Sequence, residues 1–240
     1  MEGLSSLQLA VACLAAGAGA LVQGSVGFGM ALLASPILAL ISHRLVPGPL
    51  AACGLVVSLL TVARDWRHAD YGKLPFVVPG LLAGSWAGAT MLYWVPVGML
   101  SVLLGIVVLI AVAISVAGLE VAPTRRNVIV ATIAAGFLST TASIPGPPLA
   151  LVYQRRAGPQ LAGTLAPIFV FSGAISLFNL HLIGRFSWPE IQLAGTMAPP
   201  VLLGLALSSL LAGRLPAEKV RLAVFALSAL AGLAAILRGL

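Results

Sequence analysis

Apolar residues run in long blocks along this chain, and short polar tracts rich in glycine or proline interrupt them. No Asp, Glu, Lys or Arg occurs from Gly3 to His43, from Leu74 to Leu119, from Asn127 to Gln154 or from Ala157 to Gly184. A helix that crosses a bilayer needs about 20 apolar residues, so the 46-residue run from Leu74 to Leu119 has room for two spans. Proline and glycine divide the chain into ten apolar segments, five per half. In the first half they are 6–24, 27–42, 46–63, 74–94 and 97–119; in the second, 127–140, 145–154, 161–183, 189–212 and 217–238. This pattern predicts an all-α polytopic membrane protein.

Composition agrees. Hydrophobic residues fill 60% of the 240 positions and charged ones only 8%, against roughly 25% charged in a soluble domain. Mean hydropathy is +1.10. The net charge of +7 does not indicate nucleic acid, because the basic residues fall singly or in pairs at segment ends and form no stripe. Cys13 and Cys53 lie in apolar segments without a C-x-x-C, so neither a disulfide framework nor a metal site is indicated. No cofactor is expected. The stretch from Leu7 to Ala20 resembles a signal h-region, but its only preceding charge is Glu2. A signal peptide needs a positive n-region, so this stretch reads as a retained first helix.

Two tracts 116 positions apart break the apolar runs at matching places. The first is Gln23-Gly24-Ser25-Val26-Gly27-Phe28-Gly29; the second is Ser139-Thr140-Thr141-Ala142-Ser143-Ile144-Pro145, followed by Gly146-Pro147-Pro148. The correspondence extends to Gly88 with Gly204 and to Pro96 with Pro216, which divides the chain into repeats 1–120 and 121–240. Loop charges then relate the halves. The loops holding Arg64, Arg67 and Lys73, Arg125-Arg126, Arg155-Arg156, and Arg214, Lys219 and Arg221 are the basic ones and belong in the cytoplasm. That puts the loop after the third segment inside in the first half and, at Arg185, outside in the second. The repeats are therefore expected to be inverted, with both termini outside. Arg126 and Arg155 both fall inside yet are separated by only 28 residues, where two full crossings need about 40. A hairpin of two half-helices meeting near the midplane, its tip at Ser139 to Gly146, satisfies both.

Broken backbone at membrane depth is tolerated only inside protein or against a wet cavity, and matching breaks in two halves point to a transporter's solute site. Helix N-termini offer unpaired N–H groups and partial positive charge. Gly27 and Gly29 permit close backbone approach, and Pro145 with Gly146 starts a new helix. Gln23, Gly24, Ser25, Ser139, Thr140, Thr141 and Ser143 complete the candidate solute-binding set. Gly, Ser and Thr in membrane helices also serve close packing, but two tracts in register favour a site for a small anion. Asn179 and His181 are candidates for a gate or proton-linked role. No carboxylate lies deep in an apolar segment, which argues against an Asp/Glu proton relay. Trp66, Trp94 and Trp188 sit at segment ends, as interfacial anchors do.

At these tracts the sequence resembles the TauE/SafE family, also called the sulfite exporter family. Its members carry a glycine-rich tract followed by proline early in each of two repeats. Here the copies are Gly24 to Gly29 leading to Pro36-Ile37-Leu38, and Gly136-Phe137-Leu138-Ser139 leading to Gly146-Pro147-Pro148 and Tyr153. The chain departs from the family's pattern at Phe28, at Thr140-Thr141 and at Ile144-Pro145, where glycines are usual. The resemblance implies a secondary transporter that moves sulfite, a sulfonate or sulfoacetate across a bacterial cytoplasmic membrane. A small-anion channel, built as selectivity filters are from broken helices, is the chief alternative. A non-transporting subunit is another. An intramembrane enzyme would have to rest on Ser139 with His181, without a Gly-x-Ser-x-Gly signature.

Overall fold

The computed structural model describes residues 4–68, 72, 74–117, 121–154, 158–211 and 217–239. Lys73, Arg155, Arg156 and Arg214 of the basic loops, and Pro216, matched above with Pro96, lie outside the described residues. Those described form ten α-helices and no strands: α1 (Ser6–Val26), α2 (Met30–Ile41), α3 (Gly48–Asp65), α4 (Leu74–Trp94), α5 (Leu100–Val116), α6 (Arg125–Ala142), α7 (Gly146–Val152), α8 (Gly158–Leu182), α9 (Trp188–Leu211) and α10 (Ala217–Gly239). Each falls on one of the ten expected segments. Among the described residues, seven helical stretches are long and apolar enough to cross a membrane, in α1, α3, α4, α5, α8, α9 and α10. The chain is a multi-pass membrane protein.

Local chemistry sets several ends. Ser5 Oγ accepts from Gln8 N at 3.2 Å while Gln8 Oε1 accepts from Ser5 N at 2.9 Å, a reciprocal cap on α1. Thr124 caps α6 through Asn127 N. The lipid-facing flanks are visible in exposure. Leu14 is 72% exposed, Trp86 70% and Leu203 65%, apolar surface that suits hydrocarbon. Trp66, Trp94 and Trp188 are likewise exposed at helix ends.

Packing follows small residues, as expected where the bilayer offers no hydrophobic drive between helices. Helix α4 lies along α6, and α1 along α9. A methyl on Gly84 would collide with Ile133 O, and one on Gly204 with Gly17 O. Both pairs run in the same direction: Cys13 meets Thr196 and Gly17 meets Pro200, while Gly80 meets Thr132 and Gly88 meets Phe137. Helix α3 runs against α8, with Gly48 at Phe186 and Leu55 at Gly173. Helix α5 runs against α10, with Gly105 at Gly232 and Val102 at Gly239.

The breaks fall where the tracts predicted them, at 27–29 and 143–145. Their hairpins are not equal halves. Helices α1 and α6 have 21 and 18 residues, about 31 and 27 Å at 1.5 Å per residue. Helices α2 and α7 return only 12 and 7 residues. Helix α2 threads the interior, with Met30, Leu32 and Leu38 at most 1% exposed; α7 packs on α5 and α6.

Candidate functional site

Both breaks open on one cavity. Its lining includes Gln23 at the end of α1, Phe28 and Gly29 in the first break, and Met30, Ala31 and Leu32 in the first turn of α2. From the second half come Ser139 and Ser143, then Ile144, Pro145, Gly146 and Pro147. Helix α3 adds Leu50, Ala51, Gly54, Leu55 and Ser58, and α8 adds Phe169 and Gly173. The cavity measures about 40 Å³, where one buried water needs roughly 10–15 Å³ on a comparable measure. That is room for a solute of a few heavy atoms, not for a sugar. Among the described residues lining it, none is charged.

The first break is shaped by two glycines. Gly27 closes α1 in the left-handed region at φ 96°, and its N–H donates to Gln23 O at 2.8 Å. Gly29 takes φ 120°, a conformation that costs any residue with a Cβ. It precedes α2 without a side-chain cap, and Leu33 N donates to Gly29 O at 3.1 Å. The N–H groups of Met30, Ala31 and Leu32 therefore have no partner within the helix. They stand at the cavity with the positive end of the α2 dipole.

The second break is unlike the first as a donor. Ser143 takes φ 64°, its N–H donates to Ser139 O at 2.8 Å, and its hydroxyl donates to Pro47 O at 2.8 Å. That last bond ties the tip to the start of α3. Helix α7 then opens at Gly146, followed by Pro147 and Pro148, which have no N–H to offer. The expectation of two opposed, N–H-rich tips thus meets an asymmetry. Helix α2 brings three open amides, and the α7 side brings one at Gly146, together with wall and a hydroxyl.

Of the residues expected at the site, Gln23, Gly29, Ser139, Ser143, Pro145 and Gly146 line the cavity together. The others are not among the lining residues. Gly24 is pressed on Leu205 and Ser208 of α9, and Gly27 faces Ala162 of α8. Ser25 Oγ donates to Leu21 O and Thr141 Oγ1 to Phe137 O, each at 2.8 Å, so these hydroxyls serve their own helices. Thr140 is fully buried beside Ser85 and Ser176. Asn179 donates to Ser85, behind the cavity wall. His181 is exposed at the end of α8, its Nδ1 3.0 Å from Phe186 O, and does not pair with Ser139. The α3 and α8 walls were missed by sequence reasoning. The signal present was a glycine in mid-segment, Gly54 and Gly173, in the long segments that follow the two tracts.

A sequence model of the family described as sulfite exporter TauE/SafE matches residues 11–235. Searches of curated proteins and of solved structures return no match.

Proposed function

Because the chain belongs to the sulfite exporter TauE/SafE family, a family of membrane transporters, we propose that it carries a small sulfur oxyanion through the cavity between its two breaks. The observation that carries this reading is the meeting of uncapped α2 amides and Ser139 in one small cavity whose described lining holds no charge. An anion in low dielectric needs compensation. A helix N-terminus supplies about half a positive charge, enough to favour a monoanionic head group such as a sulfonate or hydrogensulfite. Neutral donors also release an anion more readily than a buried cation would, which suits turnover.

Alternating access between inverted repeats is the mechanism we assign. Arg185 Nη2 donates to Leu92 O at 3.0 Å and Val95 O at 3.1 Å, so the α8–α9 turn sits at the C-terminal end of α4. The α3–α4 connection enters at the N-terminal end of that helix. Corresponding connections at opposite ends of one spanning helix support inversion. So do the antiparallel pairings of α3 with α8 and α5 with α10, each helix with its own counterpart. Leu55 touches Gly173 and both line the cavity, as expected if the pseudo-two-fold axis passes there. In this reading the protein lies in a bacterial cytoplasmic membrane with both termini outside.

Purified protein in detergent should be stabilised against heat by sulfite and by methanesulfonate, and not by amines or sugars, since a ligand that binds only the folded state raises its stability. Reconstituted vesicles should show saturable counterflow of the same anions. Stabilisation by a sugar or a cation, with none by sulfur oxyanions, would overturn the proposal.

A further inference from the structure

A file of hydrogen-bonded side chains crosses α8, α4 and α6 and ends at the cavity. Asn179 Nδ2 donates to Ser85 Oγ at 2.8 Å. Ser85 Oγ lies 2.6 Å from Thr140 Oγ1, and Thr140 Oγ1 lies 2.9 Å from Ser176 Oγ. Ser176 Oγ donates to Ser139 Oγ at 3.0 Å. The four hydroxyl residues are at most 2% exposed.

An amide N–H can only donate, and Ser176 donates to Ser139 at the other end, so both fixed bonds of the file point toward the cavity. Ser85 accepts from Asn179 and keeps its own proton for Thr140, although either hydroxyl of that pair can donate. Thr140 has two acceptors for its proton, Ser176 Oγ and, at 3.0 Å, Gly136 O. Ser176 donates onward, and Ser139 receives. The proton of Ser139 is then left over. Ser25, Ser58, Thr61 and Thr141 each donate to the carbonyl four residues back in their own helix. The Ser139 hydroxyl makes no such bond; its one hydrogen bond among the described residues is the one it accepts from Ser176. It lines the cavity, and a buried donor without an acceptor is costly until something in the cavity accepts from it.

We propose that this file holds Ser139 as a hydrogen-bond donor toward the cavity, where it reads an acceptor oxygen on the solute. Asn179, Ser85 and Ser176 are positioning residues that act through it. The inference rests on the reading of the cavity as the solute site, and it narrows that site. A solute presents an oxygen acceptor to the α6 side as well as to the α2 amides, so a tetrahedral or pyramidal oxyanion with at least two free oxygens fits. The equivalents of Thr140 and Ser176 in the first half are Gly24 and Leu60, so no such file serves the other tip.

Binding of sulfite and methanesulfonate to the full-length protein in detergent, measured calorimetrically, provides the test. Asn179→Asp replaces the terminal donor with an acceptor of the same shape, which reverses the file and draws the Ser139 proton back toward Ser176. Ser139→Ala and Asn179→Asp should each weaken binding roughly tenfold to a hundredfold, the value of a hydrogen bond to a charged group. Added to Ser139→Ala, Asn179→Asp should do nothing further. Ser139→Thr, which keeps the hydroxyl, should bind within a few-fold of wild type. A mere repulsion between the new carboxylate and the anion would persist in the Ser139→Ala background, and so would a structural defect. Ser176→Ala cuts the file without adding charge and answers the same question if Asn179→Asp fails to accumulate. Multiplying effects in the double variant would overturn the inference while leaving the anion reading intact. Failure of the wild type to bind any oxyanion would overturn that reading and this inference with it.

Discussion

Gly27 and Ser143, 116 positions apart, end the first helix of each half with the same left-handed turn. The N–H of Gly27 reaches Gln23 O at 2.8 Å and the N–H of Ser143 reaches Ser139 O at 2.8 Å. One position is filled by the residue that adopts such a turn freely, the other by a residue that does so at a cost and recovers it with a side-chain bond to Pro47.

The two positions should therefore respond differently to substitution. Gly27→Ala should destabilise by about 1–2 kcal/mol, the cost of a Cβ in the left-handed region. It would also press on Ala162 N, 3.3 Å from where the new methyl would lie. Ser143→Gly removes a comparable backbone cost and loses one neutral hydrogen bond of about 1 kcal/mol, so it should be nearly neutral. Reversible denaturation in mixed micelles gives both values. Equal losses at the two sites would contradict the shared-turn account.

Glycines separate packing from function in the same way. A methyl on Gly84 would collide with Ile133 O, whereas one on Gly54, which lines the proposed solute cavity, meets nothing within 4 Å. Gly84→Ala should cut accumulation of folded protein sharply. Gly54→Val should melt near the wild-type temperature yet lose binding of bulky sulfonates before that of sulfite, because it fills the cavity. A Gly54→Val variant that binds the larger anions as well as wild type does would place the solute elsewhere.

The fold was legible because proline, glycine and the scarce charges mark where apolar runs stop. Each of the ten helices lies on one of the ten segments. The meeting of Gln23 and Gly29 with Ser139, Ser143, Pro145 and Gly146 was legible because both tracts break helices at equivalent points. Its other walls were not. A residue such as Phe169 inside an unbroken apolar run reads the same whether it faces lipid, core or cavity. Nor does sequence distinguish a hydroxyl that donates to its own helix, as in Ser25 and Thr141, from one that accepts from another helix and has no acceptor for its proton among the described residues, as in Ser139. Both are small polar residues near the end of a helix, and only their neighbours decide. The second hairpin divides unevenly, with 18 residues in α6 and 7 in α7, because charge spacing counts residues between loops and says nothing about where the break divides them.

The proposed inversion of the repeats makes a labelling prediction. In a background of Cys13→Ser and Cys53→Ser, cysteines introduced at Arg67 and at Ser187 occupy equivalent connections, one following α3 and the other following α8. A membrane-impermeant maleimide should reach them from opposite faces of oriented vesicles. Helix α4, whose 21 residues span about 31 Å, separates the two. Labelling of both from one face would leave the halves related by rotation about the membrane normal instead.

The last prediction isolates the α2 amides. Ala31 lies in the uncapped first turn and lines the cavity. Ala31→Asp would place a carboxylate where the proposed oxyanion sits, accepting from the free N–H groups and neutralising the dipole end, as acidic residues in a first helical turn do. The substitution should abolish measurable binding of sulfite and methanesulfonate. Its effect on melting should be small, because cap and dipole contacts of about 0.5–2 kcal/mol offset part of the cost of burying the carboxylate. Ala31→Asn, similar in shape but neutral, competes for the same N–H groups without repelling an anion, so its binding should fall between Ala31→Asp and wild type. That graded order, read by calorimetry beside melting curves, is what an anion held by helix-terminal amides requires. Oxyanion binding by a folded Ala31→Asp protein at wild-type strength would remove the α2 N-terminus from the site.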